Sequence, residues 1–133
     1  MDENVSREKF AGLVNGIISG MEEVLGVKAI SAIIHYGAVK YGTELANKGK
    51  FTKMSDYLEN VKELLLSPFD FKTVRENHTI ECRIKTEDFS VAKTSSTTIC
   101  KGLVEGGFRA IAECSPSITE EEKDGYHVTV FTK

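Results

Sequence analysis

The hydrophobic period of this chain drops from 3.6 to 2 at Ser67-Pro68, and that switch constrains the fold more than any other feature. Before it, apolar residues recur at steps of three and four, as in amphipathic helices. After it they alternate, as in half-buried strands. Ser67 precedes a proline and is therefore turned away from the α region, so the change of period coincides with a helix stop. One further helix then interrupts the strands.

Three helices are predicted before the switch. Residues 6–25 carry one stripe of Phe10, Leu13, Val14, Ile17, Ile18, Met21, Val24 and Leu25, with Ser6 as N-cap and Gly26 as stop. A second stripe runs through Ile30, Ile33, Ile34, Ala38, Tyr41 and Leu45 and closes at Asn47 and Gly49. Gly37 and Gly42 lie inside it, each costing about 1 kcal/mol against alanine in an exposed helix. Two readings fit them: close packing of another helix, or room for a ligand against the backbone. Residues 55–66 form the third helix, with Tyr57, Leu58, Val61, Leu64 and Leu65 on one side and Ser55 or Thr52 as cap.

Beyond the switch, Phe69 and Phe71 alternate with Asp70 and Lys72, and Ile80, Cys82 and Ile84 alternate with polar neighbours. The short connection Glu76-Asn77-His78 pairs these segments as a hairpin. The cap-forming cluster at 94–98 starts a helix that reaches about Ala112. Gly102, Gly106 and Ala110 fall four apart on it, leaving one side almost bare backbone for a close neighbour. A second hairpin closes the chain. Its first strand spans Glu113 to Thr119, broken by Pro116, which favours an edge position. Glu120-Glu121-Glu122 reads as an exposed loop, Lys123-Asp124-Gly125 as a tight turn, and Tyr126, Val128 and Val130 as the last alternating strand.

Helices and strands are thus grouped rather than interleaved. The fold class is α+β: N-terminal helices packed on an antiparallel sheet of two hairpins, with a glycine-rich helix between the hairpins. A length of 133 residues fits one domain, 1–133, with its ordered core at about 6–131 and no internal repeat.

Seventeen basic against twenty acidic residues give a net charge of −3, which excludes a strongly basic nucleic-acid binder. Three widely spaced cysteines, Cys82, Cys100 and Cys114, do not form a disulfide framework and suit a reducing setting. The polar start and the absence of an apolar run of about 18 residues predict a cytoplasmic protein without a membrane span. Phosphate-loop, dinucleotide, zinc-protease and serine-hydrolase motifs are all missing.

Two constellations bear chemistry. Cys100, Cys114 and His127 lie on three successive elements, and thiolate and imidazole suit zinc. They lack a tight Cys-x-x-Cys spacing, and free cysteines equally serve as small core residues. His35, Tyr36, Tyr41, Phe69, Phe71 and Phe108 supply apolar walls with a few polar groups. Such a set describes a small-molecule pocket, and also a core whose tyrosine hydroxyls reach water. A cysteine-dependent enzyme, with Cys100 or Cys114 beside a histidine, is a further alternative.

Three segments carry a resemblance: Tyr36-Gly37-Ala38-Val39-Lys40-Tyr41-Gly42-Thr43-Glu44-Leu45-Ala46; Cys100-Lys101-Gly102-Leu103-Val104-Glu105-Gly106-Gly107-Phe108; and Glu113-Cys114 with Asp124-Gly125 leading into His127-Val128-Thr129-Val130. In that order, over residues 6 to 131, the chain resembles the 4-vinyl-reductase (hydrocarbon-binding) domain family. The resemblance implies a fold shared with TRAPP transport-particle subunits, often dimeric through its helices. It also implies a small hydrophobic ligand held between helices and sheet. Some members bind zinc through cysteines of the later helix and the closing hairpin, and Cys100 and Cys114 match two of those positions. The family's final cysteine is missing, His127 lies near its place out of register, and Ile111 stands where an acid is usual. Zinc is therefore expected to be lost or altered, with no other cofactor implied. The resulting expectation is a non-catalytic binding domain for a hydrophobic molecule. Its walls are Tyr41, Phe69, Phe71 and Phe108, and its anchor is His35 or Tyr36. It would sense through a separate partner protein; the alternative is a homodimeric interaction module.

Overall fold

A computed structural model describes residues 3–64, 69–85 and 94–133. Helix α1 spans Glu3–Leu25 and α2 spans Val27–Lys48. Only Gly26 separates them. Its φ of 90° lies where a side chain would be strained, so the glycine turns the chain without a loop. Because α1 begins at Glu3, Ser6 lies inside the helix and does not mark its start. Helix α3 spans Met54–Leu64. The expected stop at Ser67-Pro68 lies outside the described residues.

Strands β1 (Asp70–Arg75) and β2 (Thr79–Lys85) form the first hairpin, and β3 (Ser117–Lys123) and β4 (Tyr126–Thr132) the second. Between them runs α4, Thr94–Gly107, which continues as one π-helical turn over Phe108–Ala112 and ends at Glu113 with φ 56°. The hairpins join through β2 and β4 into one antiparallel sheet of order β1-β2-β4-β3. The α+β class and the two-hairpin sheet follow the sequence reading.

The closing hairpin departs from that reading in detail. Its first strand begins after Pro116, which has no N–H to give the ladder. It then runs on through Glu120, Glu121 and Glu122, which pair with Thr129, Val128 and His127. These acids are strand, not loop, because the turn needs only Asp124 (φ 50°) and Gly125 (φ 80°), the two positive-φ residues of a tight hairpin turn. Every residue of β3 is exposed, and acidic side chains on a free edge oppose pairing with another chain.

The core lies between the sheet and the helices. Ile80, Cys82 and Ile84 of β2 and Phe131 of β4 meet Tyr57 and Val61 of α3 and Cys100, Val104 and Phe108 of α4. Phe108 and Phe131 stack with ring centroids 6.4 Å apart. The other face of α4 meets α2, and glycine sets that spacing. A Cβ on Gly102 would stand 2.5 Å from the Ala38 Cβ and 3.1 Å from the His35 carbonyl oxygen. One on Gly106 would stand 2.8 Å from the Thr43 nitrogen, and one on Gly42 2.8 Å from the Leu103 carbonyl. The two backbones therefore touch where these three glycines cross, which answers the packing question for Gly42; Gly37 faces open space.

Helix α1 sits apart from this core. None of its described side chains is buried, and its apolar stripe is open to solvent, with Leu13 60%, Ile17 55% and Val24 81% exposed. No described helix is long and apolar enough to cross a membrane.

Candidate functional site

The close crossing of α2 and α4 creates a groove beside it. Small residues let the backbones touch, while longer neighbours on the same helices stand up as walls. Ala38 and Leu103 are buried at its base. Ile34 and Tyr41 of α2, Leu64 of α3 and Ile99 of α4 complete an apolar lining around about 280 Å³. Tyr41 is half-exposed and brings the one hydroxyl to this lining.

Polar bonds fix the same crossing. A ring N–H of His35 donates to the Glu105 carboxylate at 2.9 Å, joining α2 to α4. The Thr43 hydroxyl donates to the Val39 carbonyl at 2.9 Å, with the Gly106 carbonyl 3.2 Å away. The Tyr57 hydroxyl, fully buried, donates to the Leu103 carbonyl at 2.5 Å. Burial pushes the Tyr57 phenol well above its usual range.

A second, much smaller space lies on the sheet side of α4. It holds about 10 Å³, close to one water molecule, and is lined in part by Cys82, Cys100, Lys101, Glu120, His127 and Thr129. The Cys82 and Cys100 sulfurs are 3.5 Å apart and both residues are buried. Their shared hydrogen bond and burial push the Cys100 thiol up. Also on this lining, Glu120 accepts from Lys101 and stands 3.4 Å from His127. The Lys101 hydrogen bond holds the Glu120 carboxyl below its ordinary range.

The residues expected to bind a ligand are dispersed. Tyr41 lines the α2–α3–α4 groove. His35 is engaged by Glu105, and Tyr36 is 72% exposed. Phe69 is buried and reaches the small chamber, Phe108 is wholly buried in the core, and Phe71 packs at its margin. Of the expected metal set, Cys100 and His127 line the same chamber, whereas Cys114 lies in a separate open depression with Arg109 and Glu113. Among the described residues, no three His, Cys, Asp or Glu side chains are grouped to hold a metal ion.

Sequence reasoning missed two parts of this arrangement. Ile34 and Leu64 belong to separate stripes in the sequence, and no period shows that they share a groove with Ile99 and Leu103. Cys82 was placed correctly on the apolar face of its strand, but nothing in an 18-residue separation pointed it at Cys100. No protein-family model matches this chain, and no curated protein matches it either.

Proposed function

We propose that this protein is a non-catalytic binding module for a small hydrophobic molecule, held in the groove between α2, α3 and α4. The observation that carries the reading is the groove itself: an opening of about 280 Å³ with an apolar lining drawn from three helices and one tyrosine hydroxyl at hand. Small-molecule sites start at about 300 Å³, so the ligand is compact. Burial of its surface supplies roughly 2.5 kcal/mol per 100 Å², and the Tyr41 hydroxyl supplies direction. The space between α4 and the sheet is nearly filled, which moves the site away from the helix–sheet pocket that the family resemblance implied. The resemblance to 4-vinyl-reductase domains supports the ligand class. Output to a separate partner protein is part of the same proposal.

Native mass spectrometry of the purified chain, with titration of the fluorescent apolar probe 8-anilinonaphthalene-1-sulfonate, tests this. One-to-one saturable binding is expected, weakened about tenfold or more when Ile99→Trp fills the groove or Ile34→Glu charges its wall. A wild-type protein that retains no apolar molecule and shows no saturable probe binding overturns it.

A second reading concerns assembly. The solvent-open stripe of α1 favours a homodimer formed through this helix, either alongside ligand binding or as the chain's main role.

A further inference from the structure

The three cysteines are not equivalent. Cys114 lies in an open depression, whereas Cys82 of β2 and Cys100 of α4 face each other in the core with sulfurs 3.5 Å apart. A disulfide requires about 2.05 Å, so the sulfurs need approach by only about 1.5 Å. Both of them line the chamber, whose volume is about that of one water molecule. The same space is lined by Lys101, on the same helix as Cys100, and by Glu120 of β3 and His127 of β4, which pair with one another through Glu120. Exposed Glu120 marks the solvent side of the space.

We propose that Cys82 and Cys100 form an oxidisable dithiol, a site at which a peroxide converts two buried thiols into a disulfide that ties β2 to α4. The chamber has room for about one water, so the oxidant that suits it is hydrogen peroxide, the smallest peroxide, rather than a bulky disulfide such as glutathione disulfide. In the first step one sulfur, as thiolate, attacks a peroxide oxygen. An S–O bond forms, the O–O bond breaks, and the departing hydroxide takes up the proton to leave as water. In the second step the other sulfur attacks the sulfenic sulfur; the S–S bond forms, the S–O bond breaks, and a second water leaves. Two thiols and one peroxide thus yield one disulfide and two waters, with two electrons passing from sulfur to oxygen. The Cys82 hydrogen bond and burial hold the Cys100 proton in place, so the reaction is slow near neutral pH and quickens on the alkaline side. It is a stoichiometric modification, not a turnover chemistry.

The fully reduced chain is treated with hydrogen peroxide, the remaining thiols are alkylated, and the tryptic peptides are mapped. The sequence separates the three cysteines: Cys82 falls in 76–83, Cys100 in 94–101 and Cys114 in 110–123. The expected product is a cross-link between 76–83 and 94–101, in about tenfold or greater excess over either pairing with Cys114, because groups held in contact react as if highly concentrated. The excess disappears when the oxidation is done in urea. The oxidised protein melts about 5–10 °C higher, since the bond closes the loop between β2 and α4. Cys114→Ala retains the cross-link. The mapping is made on the wild-type chain, so a variant at Cys82 or Cys100 that fails to fold does not affect it. Oxidation of single cysteines without this cross-link, an equal share of Cys114 pairings, or cross-linking only in urea overturns the proposal.

Discussion

The Tyr57 hydroxyl donates to the Leu103 carbonyl at 2.5 Å, tying α3 to the middle of α4 in a place that solvent does not reach. A Cβ on Gly42 would stand 2.7 Å from that hydroxyl, so α2 closes over the same bond. One phenol therefore links three helices beside the groove. The ring of Tyr57 also packs edge-on against Phe51, with centroids 5.9 Å apart.

Tyr57→Phe keeps the ring and removes the donor. The Leu103 carbonyl is left without this partner, and the expected loss is about 1–3 kcal/mol in urea unfolding. The alkaline limb of stability checks the same bond. Burial raises the phenol's pKa in the folded state above its unfolded value near 10. Below pH 10 both states hold the proton and the contribution is complete. Above it only the unfolded state releases the proton, and stability falls as pH rises. The wild type should therefore lose stability more steeply above pH 10 than Tyr57→Phe does.

Gly106 and Gly37 should respond to alanine with opposite signs. At Gly106 the new methyl group meets backbone: the Val39 carbonyl, the Thr43 nitrogen at 2.8 Å and the Gly42 carbonyl carbon at 3.0 Å. Backbone in two packed helices yields little, so Gly106→Ala should cost about 1–3 kcal/mol or more and weaken probe binding in the groove. At Gly37 nothing stands within 4 Å. There Gly37→Ala should add about 0.5–1 kcal/mol through helix propensity. Thermal unfolding of the two variants side by side gives the test.

Asn77 serves two purposes from the turn of the first hairpin. Its φ of 57° suits asparagine better than most residues. Its side-chain oxygen accepts from the Met54 N–H at 2.7 Å, and its amide donates to the Thr52 carbonyl at 2.9 Å. The hairpin thereby caps the start of α3. Asn77→Ala loses the cap and strains the turn, for an expected cost of about 1–2 kcal/mol. Asn77→Gly keeps the turn and loses only the cap, so it should fall between alanine and wild type on a denaturant midpoint scale.

What the sequence made legible was local. Periods of 3.6 and 2 are written into neighbouring residues, so the helices, the strands and the Asp124-Gly125 turn could be read from them. The four-residue spacing of Gly102 and Gly106 announced a close neighbour, which the structure identifies as α2. The cap of α3 comes from a residue 23 positions away and leaves no trace near Met54; Ser55 and Thr52 were the local candidates. The groove draws one wall each from separate helices, and the Cys82–Cys100 contact joins a strand to a helix. Such meetings depend on how elements cross, which no period encodes. The stripe of α1 was legible as apolar, yet the fold of one chain leaves it uncovered.

That uncovered stripe leads to the last prediction. Gly12, Gly16 and Gly20 recur at steps of four on α1 and face open space, while Leu13, Ile17 and Val24 stand exposed nearby. Small residues at this spacing, flanked by aliphatic ones, are the device by which α2 and α4 already pack in this protein. A mate helix on α1 would bury the same kind of surface, and a second copy of the chain supplies one with self-complementary geometry. Sedimentation equilibrium should therefore give twice the 14.7 kDa chain mass at micromolar concentration. Ile17→Glu should sediment as the monomer, because it places a charge in the contact. Ile17 is 55% exposed in the single chain, so the variant's circular dichroism should be unchanged at a concentration where both proteins are monomeric. A wild type that sediments as a monomer across this range, with its α1 stripe still solvent-open, would show that homodimerisation is not how the chain covers this helix.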